Sequence, residues 1–556
     1  MKHLLLGDEA IAQGAIDAGL SGVYAYPGTP STEVTEFIQL QAASCHALRA
    51  MQDEQASSTG FMQERIFCKW ATNEKTAMEA ALGMSYMGKR ALVCMKHVGM
   101  NVCADAFMNA AITGVHGGLV VLAADDPSMH SSQNEQDSRF YAEFAMIPCF
   151  EPASQQEAYD MTRAAFDYSE QVRKPVLLRV TTRMAHSRAV VETRERRPQN
   201  NMSLPKNVQH FILLPAFAKK NYAELVAQQP LFRQHSEESG HNLYIKGTNP
   251  KKGIIASGIG YNYLMENGVP DASVLKVTEY PLPERLIKQM VADGAEEILV
   301  VEEGQPVIEQ ALPRFVPSSV RIAGRLTGAL PRMGELHPED LKMHGTAQVS
   351  STGFIQGVSV SSTEPLVVPR PPAMCVGCGH RDMYTALNEV AREYDKPRIF
   401  GDIGCYTLGA LSPFHAIHAC VEMGASITMA KGAADAGQHP SIAVIGDSTF
   451  THSGMTGLLD CVNSNANVVV LISDNLTTGM TGGQDSAGTG RLEAICKGIG
   501  VEESHVRVVV PLPKNMEEIK AVLREEINYA GVSVVIARRE CIQTLKRNAR
   551  QGRFKT

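Results

Sequence analysis

Two polar motifs near the C-terminal end of the chain could bind a metal ion and a phosphorylated ligand. Gly446-Asp447-Ser448 follows one apolar run, and Asp474-Asn475-Leu476-Thr477 follows the next one. In an open parallel sheet, ligands bind where the strands end at their carboxyl termini. The carboxylate of Asp447 and the amide oxygen of Asn475 suit Mg²⁺, with phosphate and water completing its octahedron. Gly446 would let the backbone approach a diphosphate closely.

The pairing of these motifs is more specific than either motif alone. The alternative for Gly446-Asp447-Ser448 by itself is a strand end followed by an Asp that caps a helix. Asn475 lies 28 positions after Asp447 (475 minus 447), however, and each motif follows a strand-like run. Together they match the thiamine-diphosphate signature, in which Gly-Asp-Gly is followed by an asparagine after the next strand. Ser448 replaces the last glycine. We also expect a helix over 454–463 to direct its positive N-terminal end at the phosphates.

Four cysteines form a second candidate site. Cys375 and Cys378 make a Cys-x-x-Cys pair, Cys405 follows within 401–406, and Cys541 lies close to the C-terminal end. Four thiolates suit either Zn²⁺ or an iron–sulfur cluster, and their spacing does not choose between the two. The other cysteines lie mostly in apolar runs and are interpreted as small core residues: Cys45, Cys68, Cys94, Cys103, Cys149, Cys420, Cys461 and Cys496.

Three residues in the first third of the chain could also contact a ligand. Glu74 begins a helical pattern, where a solvated acid is favoured in any case, so its residue type alone supports a structural role. Thr29 lies in Tyr26-Pro-Gly-Thr-Pro30, where the prolines would fix a rigid turn. His97 follows a strand and is as well explained by a satisfied structural histidine as by a ligand contact.

Composition excludes several classes of protein. The chain has 556 residues, of which 44% are hydrophobic and 20% charged, as in ordinary soluble globular proteins. A net charge of -7 without a basic stripe argues against a nucleic acid partner. No apolar run reaches the roughly 20 residues that a transmembrane helix needs. The first residues turn polar too early for a secretory signal, so we expect a cytoplasmic protein whose twelve cysteines are not a disulfide framework.

Strand-like runs alternate with helical patterns along three blocks of the chain. This alternation predicts an α/β fold of parallel sheets flanked by helices. We place the blocks at 1–190, 251–345 and 371–556, with linkers at 191–250 and 346–370. The first linker contains one predicted helix near 215–228. The clearest predicted strands are 22–26, 90–95, 119–124, 175–180, 253–257, 297–301, 441–445 and 468–473, and the clearest predicted helices are 74–87 and 283–292.

Longer motifs carry a family resemblance that spans residues 6–541. The chain resembles the alpha subunits of indolepyruvate ferredoxin oxidoreductases, within the 2-oxoacid:ferredoxin oxidoreductase family. The motifs are Gly7-Asp-Glu-Ala-Ile-Ala-Gln-Gly14, Tyr26-Pro-Gly-Thr-Pro-Ser31, Asn73-Glu-Lys75, Lys96-His-Val-Gly-Met-Asn101, Asp125-Asp-Pro-Ser-Met-His-Ser-Ser-Gln-Asn-Glu-Gln-Asp137, Gly401-Asp-Ile-Gly-Cys-Tyr-Thr-Leu-Gly409 and Met480-Thr-Gly-Gly-Gln484.

The resemblance implies three cofactors: thiamine diphosphate, Mg²⁺ and one [4Fe–4S] cluster close to the thiamine ring. The cluster would be held by Cys375, Cys378, Cys405 and Cys541. Mg²⁺ would be bound by Asp447, Asn475 and the backbone carbonyl of Thr477. The other residues that we expect to contact the cofactor are His380, Gly404, Tyr406, Gly446 and Ser448.

The resemblance also gives the three blocks their roles. The first block would be the pyrimidine-binding domain, the second would resemble the C-terminal domain of transketolase, and the third would bind the diphosphate. Glu74 would bond the aminopyrimidine and promote removal of the thiazolium proton. Thr29 and His97 would contact the substrate, or in the case of His97 the cofactor. The cofactor would bridge the first and third domains, with a homodimer as the expected core.

The implied reaction is oxidative decarboxylation of an aryl 2-oxo acid such as indolepyruvate. Electrons would pass through the cluster to ferredoxin or another acceptor, and coenzyme A would take the acyl group. We expect a separate beta subunit as a partner. Alpha subunits of this family usually continue, after the position of Cys541, into a ferredoxin-like domain. Residues 542–556 contain no run of four cysteines, so we expect a form that lacks this domain.

Two other functions remain open on the residues alone. A non-redox thiamine-dependent decarboxylase would need no cluster, and the four cysteines argue against it. A non-catalytic subunit with a structural zinc site would need neither Glu74 nor Asp447.

Overall fold

A computed structural model describes residues 1–52, 65–268, 271–341, 373–420 and 422–550. The chain divides into two compact units, Met1–Ser361 and Ser362–Thr556. The predicted linker over 346–370 lies outside the described residues. Within the described residues, no helix is both long and apolar enough to cross a bilayer.

The first sheet of unit 1 is built from parallel strands with one antiparallel strand at its edge. In the described part of the chain it has seven strands in the order β12-β6-β7-β5-β4-β2-β3. Every residue of β5 is buried, which is typical of a parallel strand covered by helices on both faces. The bounds are β2 Gly22–Ala25, β3 Phe67–Trp70, β4 Ala91–Lys96, β5 Leu119–Asp125, β6 Cys149–Phe150, β7 Val176–Thr181 and β12 Glu279–Tyr280.

Helices follow the strands of this sheet and begin with recognisable caps. Asn73 caps α3 through its Oδ1, which accepts the backbone N–H of Thr76 at 2.8 Å, and Ser154 caps α6 in the same manner. A two-stranded antiparallel ribbon joins β1 Lys2–Leu6 to β8 Arg188–Glu192. The helices are α1 Gly7–Asp17, α2 Thr32–Gln52, α3 Glu74–Tyr86, α4 His97–Thr113, α5 Arg139–Ala145, α6 Gln155–Val172, α7 Thr182–His186 and α8 Pro215–Glu238.

The second sheet of unit 1 has five strands in the described residues, in the order β14-β13-β10-β11-β9. Strand β9 is antiparallel to β11, and the other pairs are parallel. The bounds are β9 Leu243–Ile245, β10 Asn249–Ser257, β11 Ala272–Val277, β13 Glu297–Val301 and β14 Arg321–Ala323, with helices α9 Gly258–Glu266, α10 Glu284–Ala292 and α11 Val307–Ala311.

One short strand ties the two sheets of unit 1 together. After β11 the chain leaves the second sheet, and Glu279 and Tyr280 pair with Phe150 and Cys149 at the edge of the first. The Tyr280 hydroxyl then donates to Glu151 at 2.6 Å. Strand β12, which lies after residue 251, therefore forms the edge of the first sheet, whose other strands all lie before residue 190.

A buried cluster of charges fills the space beneath this strand. Arg179 on β7 donates to Asp125 at 2.8 Å and pairs with Glu151. Arg139 on α5 donates to Asp137 at 2.6 Å and pairs with Glu302 of the second sheet at 2.9 Å. All of these side chains are at most 3% exposed. Buried charges are tolerated only when they are paired and hydrogen-bonded, as these are.

Unit 2 contains one parallel sheet of six described strands, in the order β16-β15-β17-β18-β20-β19. Apolar side chains of β17 and β18 pack on both faces against the flanking helices. The strands are β15 Arg398–Gly401, β16 Ala419–Cys420, β17 Ser441–Gly446, β18 Val468–Asp474, β19 Val506–Val509 and β20 Val532–Arg538. The helices are α12 Gly379–Ala391, α13 Ala425–Asp435, α14 Asp447–Thr449, α15 Met455–Asn463, α16 Leu492–Ile499, α17 Met516–Asn528 and α18 Ile542–Arg550.

The predicted α/β fold class and all eight predicted strands are confirmed, most to within one or two residues at each end. Two helix predictions need correction. The helix predicted near 215–228 extends to Glu238, even though Pro230 lies inside it. The helix predicted over 454–463 was placed too late, because helical backbone begins at Asp447 and continues through a π-helical turn, Phe450–Gly454, into α15. The boundaries and roles of the three domains stay predictions.

Replacing Arg179 by leucine should destabilise unit 1 by about 3–5 kcal/mol, because the substitution leaves buried carboxylates without their partner. Arg183, on α7, is the matched control, since its pair with Glu335 at 3.0 Å is 49% exposed on the arginine side. Arg183→Leu should cost at most about 1 kcal/mol. Urea denaturation of both variants measures the difference, and equal midpoints would contradict a structural role for the buried cluster.

Candidate functional site

Asp447 directly follows β17, as the sequence predicts, and helical backbone begins at this residue. Its side chain is buried, and among the described residues its Oδ2 has no hydrogen-bond partner. Burial and, to a smaller extent, the neighbouring Asp474 together raise the pKa of Asp447 to about 7. A buried carboxylate oxygen without a partner fits a metal ligand, because a bound cation would supply the charge that water no longer supplies.

The second motif forms a tight turn at the end of β18. Asn475 accepts the backbone N–H of Thr477 on its Oδ1 at 3.1 Å. Leu476 between them has a φ of 62°, in the left-handed region that a side chain rarely occupies. Asp474 is held instead by Arg538, whose Nε donates to it at 2.6 Å. Asn475 and Thr477 thus flank a constrained turn in the same unit as Asp447, and one lone pair of the Asn475 amide oxygen remains for a metal ion.

Three of the residues predicted to contact cofactor are explained by packing. A Cβ on Gly446 would lie 2.6 Å from the ring of Tyr406, so the glycine leaves room for that ring. Tyr406 is 3% exposed, and its hydroxyl donates to the buried Asp402. A side chain on Gly404 would also meet the Tyr406 ring. Ser448 shares a hydrogen bond of 3.0 Å with the hydroxyl of Thr478.

The four predicted cluster cysteines lie in one neighbourhood of unit 2. The pKa of Cys405 is raised to about 12, first by burial and then by its neighbours, which are the thiols of Cys541, Cys378 and Cys375 and the carboxyl of Asp447. A Cβ on Gly479 would lie 3.5 Å from the sulfur of Cys405 and 3.9 Å from that of Cys541.

The cysteines are therefore gathered from three separate stretches of chain beside the Asp447 motif. The backbone N–H of Cys541 also donates to the carbonyl of Asn475 at 3.1 Å, which links the cysteines directly to the turn after β18. Gly479, beside the sulfurs, leaves space that any other residue would fill.

The spacing of the thiols bears on which metal they suit. A tetrahedral zinc site has Zn–S bonds of about 2.3 Å, so its sulfurs lie about 3.8 Å apart. In the described residues, no three of these four sulfurs come within 4.8 Å of one another. The thiols are thus not arranged for a single tetrahedral ion in the described residues, and the cluster stays a prediction.

Of the eight other cysteines, Cys94, Cys103, Cys149, Cys461 and Cys496 are buried, as predicted for core residues. Cys68 is half-buried and Cys420 is exposed, so the core prediction does not hold for Cys420. The side chain of Cys45 lies outside the described residues.

His380, directly after Cys378 and Gly379, is a buried histidine with two unused nitrogens. Neither ring nitrogen has a hydrogen-bond partner in the described part of the chain, and burial lowers the pKa of His380 to about 4. The ring is therefore neutral and carries one donor and one acceptor. This is consistent with the predicted cofactor contact, which stays a prediction.

In unit 1, Glu74 begins α3 at the carboxyl end of the first sheet. It is 5% exposed, so the solvated acid considered from the sequence is not what the structure has. A Cβ on Gly99 would lie 2.6 Å from Cγ of Glu74, so the glycine in the Lys96–Asn101 motif leaves room for this side chain.

Thr29 lies in the turn between β2 and α2, at the same edge of the sheet. The Thr29–Pro30 peptide bond is cis, and the backbone carbonyl of Thr29 accepts the hydroxyl of Ser131 at 3.4 Å. The turn packs on Lys96, because a Cβ on Gly28 would lie 3.1 Å from Cδ of that lysine. The predicted rigid turn is thus present and lies beside a cationic side chain.

His97 opens α4 and is 1% exposed. Its Nε2 lies 3.1 Å from Oδ1 of Asn134, so this nitrogen donates, and Nδ1 has no partner in the described residues. Burial lowers the pKa of His97. The ring is neutral, with one free acceptor.

Sequence reasoning gave no role to Lys96, which the structure places among these residues. Its Nζ donates to the carbonyl of Ser131 at 2.9 Å. Burial lowers the pKa of Lys96 to about 8, against the raising effects of Asp126 and Glu74. The signal was available, because a lysine that ends a buried apolar strand is seldom only a solvated charge.

Two segments of the chain match known protein families. Residues 13–241 match the family described as pyruvate flavodoxin/ferredoxin oxidoreductase, thiamine diphosphate-binding. Residues 402–537 match the C-terminal thiamine pyrophosphate-binding domain of thiamine pyrophosphate enzymes.

Among curated proteins, the chain is similar to three archaeal proteins named indolepyruvate oxidoreductase subunit IorA. That of Archaeoglobus fulgidus is 37% identical, over 100% of this chain and 89% of its own. That of Methanothermobacter marburgensis is 37% identical, over 99% of this chain and 88% of its own length. That of Pyrococcus abyssi is 35% identical, over 97% of this chain and 86% of its own length.

Among solved structures, one similar chain belongs to a 2-oxoglutarate:ferredoxin oxidoreductase from Magnetococcus marinus. The two share 15% identity with a TM-score of 0.47, over 62% of this chain and 64% of that one. A likeness this distant carries no argument about activity.

Lys96 should react with an amine-directed acylating reagent at a lower pH than other lysines, because only the neutral amine is nucleophilic. Half-maximal labelling is expected near pH 8. Lys75 is the control, since its pair with Glu79 raises its pKa and its labelling should still increase above about pH 10. Mass spectrometry of the two peptides gives both profiles, and coincident midpoints would refute the buried, perturbed state of Lys96.

Proposed function

This chain belongs to the indolepyruvate oxidoreductase subunit IorA family of thiamine-diphosphate-dependent 2-oxoacid:ferredoxin oxidoreductases, and we propose that it oxidises an aryl 2-oxo acid such as indolepyruvate. The products would be CO₂ and an acyl-CoA, and electrons would leave through one [4Fe–4S] cluster. The observation that supports this most directly is the gathering of Cys375, Cys378, Cys405 and Cys541 beside Asp447.

In unit 2, Asp447 would hold Mg²⁺ through the Oδ2 that lacks a protein partner. The side chain of Asn475 and the backbone carbonyl of Thr477 would complete the protein's share of the coordination, and the diphosphate of the cofactor would add the rest. Ion binding keeps Asp447 ionised despite the burial that raises its pKa. When bound, thiamine diphosphate supplies the electron sink that decarboxylation of a 2-oxo acid needs.

In unit 1, Glu74 would share a proton with the aminopyrimidine ring and so make its amino group a base. Burial of Glu74 against Gly99 holds the carboxyl in one position, which such a proton transfer requires. His97 would offer its free Nδ1 as an acceptor to substrate or cofactor.

Lys96 is the side chain best suited to meet the carboxylate of the 2-oxo acid. Lys96 is half-buried, and burial lowers its pKa, so an anion interacts with its ammonium more strongly than in bulk water. The Thr29 turn packs on the stem of Lys96 and would place the threonine hydroxyl beside the same substrate. The aryl specificity rests on the family alone.

Electrons would leave the cluster through the loop between Cys375 and Cys378. Val376 in this loop is 90% exposed, so the cluster would lie close to the surface of unit 2. Ferredoxin, a beta subunit or both would accept electrons there. We also propose a homodimeric core, as in the family.

Replacing Cys405 by serine should remove the cluster, because three thiolates no longer complete the ligand set. Iron and acid-labile sulfide should fall from about four of each per chain to less than one. Cys420→Ser, at an exposed cysteine of the same unit, is the matched control and should keep both. Zinc without iron in the anaerobically purified protein would overturn the cluster assignment.

The decisive experiment for the reaction is anaerobic. The chain with its beta partner is mixed with thiamine diphosphate, Mg²⁺, coenzyme A and indolepyruvate, and cluster reduction is followed by electron paramagnetic resonance. A reduced-cluster signal that depends on substrate is expected. Formation of CO₂ and an aldehyde without that signal would make a non-redox decarboxylase the better description.

The same assay tests the role of Glu74. Glu74→Gln should lower the rate of cluster reduction by about 10²–10⁴-fold, the usual loss when a positioned acid–base group is removed. Glu79→Gln is the control on the same helix, because Glu79 is exposed and pairs with Lys75 at the surface. Equal rates in the two variants would remove Glu74 from the mechanism.

A further inference from the structure

Three side chains outside the site described above converge in unit 1. Asp8 and Glu33 lie in the first turns of α1 and α2, and His186 ends α7. Each offers one ligand atom, and these atoms all lie within 4.8 Å of one another. In the described part of the chain, no other three histidine, cysteine or acidic side chains meet in this way.

Asp8 is the unusual member of this group. It is fully buried, and neither of its carboxylate oxygens has a hydrogen-bond partner among the described residues. An ionised carboxylate buried without partners is among the least favourable groups in a protein interior. The position therefore requires either a proton or a cation next to Asp8.

The negative charges near Asp8 make its ionised form still less favourable in the absence of a cation. Burial raises the pKa of Asp8 well above its usual range, and the carboxylates of Glu33 and Glu9 raise it further. Glu9 turns away and accepts the backbone N–H of Leu6 at 2.8 Å. Glu33 Oε2 has no hydrogen bond in the described residues, but it lies 3.6 Å from Nε2 of His186, within ion-pair distance, and His186 lowers the pKa of Glu33.

We propose that Asp8, Glu33 and His186 form a binding site for a divalent transition-metal ion, with Zn²⁺ as the best fit. One imidazole and two carboxylates suit Zn²⁺ or its neighbours, whereas Mg²⁺ and Ca²⁺ prefer oxygen ligands throughout. Three protein ligands leave a fourth position for water. His186 is 34% exposed, so an ion can enter from its side while Asp8 stays buried.

The ion would fix the turn that carries Thr29. Glu33 lies four positions after Thr29, at the start of α2, so its bond to the metal would hold this end of the turn against α1 and α7. These two helices already touch, because Gly7 packs directly on the carbonyl of Met184. The site is thus a positioning device at one end of the turn, and it does not depend on the proposed reaction.

The test is equilibrium dialysis of full-length wild-type protein and two variants against Zn²⁺. The wild type should retain one more Zn²⁺ per chain than His186→Gln, with binding at this site weakened more than about 10-fold, since loss of even an outer-shell partner costs 10–100-fold. Any Zn²⁺ taken by the cysteines cancels in the difference, because those residues are unchanged.

The matched control is His130→Gln. His130 is also a surface histidine of unit 1 that lies beside a glutamate, with its Nε2 3.3 Å from Glu335. It should bind Zn²⁺ as the wild type does. Equal Zn²⁺ retention by the wild type and His186→Gln would overturn the proposal.

Asp8→Asn provides a second readout that does not depend on metal counting. The variant keeps the shape of the side chain but removes the buried charge, so in a chelator its thermal midpoint should equal or exceed that of the wild type. Added Zn²⁺ should raise the midpoint of the wild type more than that of Asp8→Asn. The same Zn²⁺-dependent rise in both proteins would show that no ion binds at Asp8.

Discussion

The buried pairing of Arg139 and Arg179 with their carboxylates is the constraint on which unit 1 depends. Asp125 ends β5 and Asp137 precedes α5, and both are bound by these arginines, at 2.8 Å and 2.6 Å. The segment between them is therefore fixed at its two ends. That segment supplies Ser131 and Asn134, which contact Lys96 and His97.

The carboxyl groups of this cluster differ in the direction of their pKa shifts. Arg139 and Arg179 lower the pKa of Asp137 to about 2, whereas burial raises the pKa of Asp125 and of Glu302. Two cations are thus shared among more than two carboxyls, and the most closely paired acid stays ionised. The buried ion pairs lie where the two sheets of unit 1 meet. Lys96, beside the turn that carries Thr29, has fewer nearby carboxylates to offset its charge.

Much of the fold could be predicted from sequence because its determinants are local. Strands such as β17 and β18 are continuous apolar runs, and the motifs that follow them are read from residue type and spacing. The helix after Asp447 was predicted too late because the polar run Gly446-Asp447-Ser448 is typical of a turn, whereas helical backbone already begins at Asp447. The buried pairing of Arg179 could not be predicted, because its partners lie on other strands and loops and no spacing in the sequence reveals them.

The candidate site was predictable only in part for the same reason. Asp447 and the four cysteines carry recognisable motifs, and the structure brings them together within unit 2. Tyr406 and Gly404 belong to the same motif as Cys405, but Tyr406 fills the core and Gly404 makes room for its ring. Motif membership alone does not separate a residue that meets a ligand from one that supports its neighbour.

The short strand β12 has a consequence for synthesis of the chain on the ribosome. When β7 has emerged, the outer edge of β6 is still unpaired, and the arginines still lack Glu302. Residue 280, at the end of β12, follows residue 181 by 99 positions (280 minus 181), which corresponds to roughly 5–20 s at common elongation rates of about 5–20 residues per second. During that interval a nascent chain exposes a bare sheet edge, the kind of surface that invites pairing with another chain and that chaperones protect.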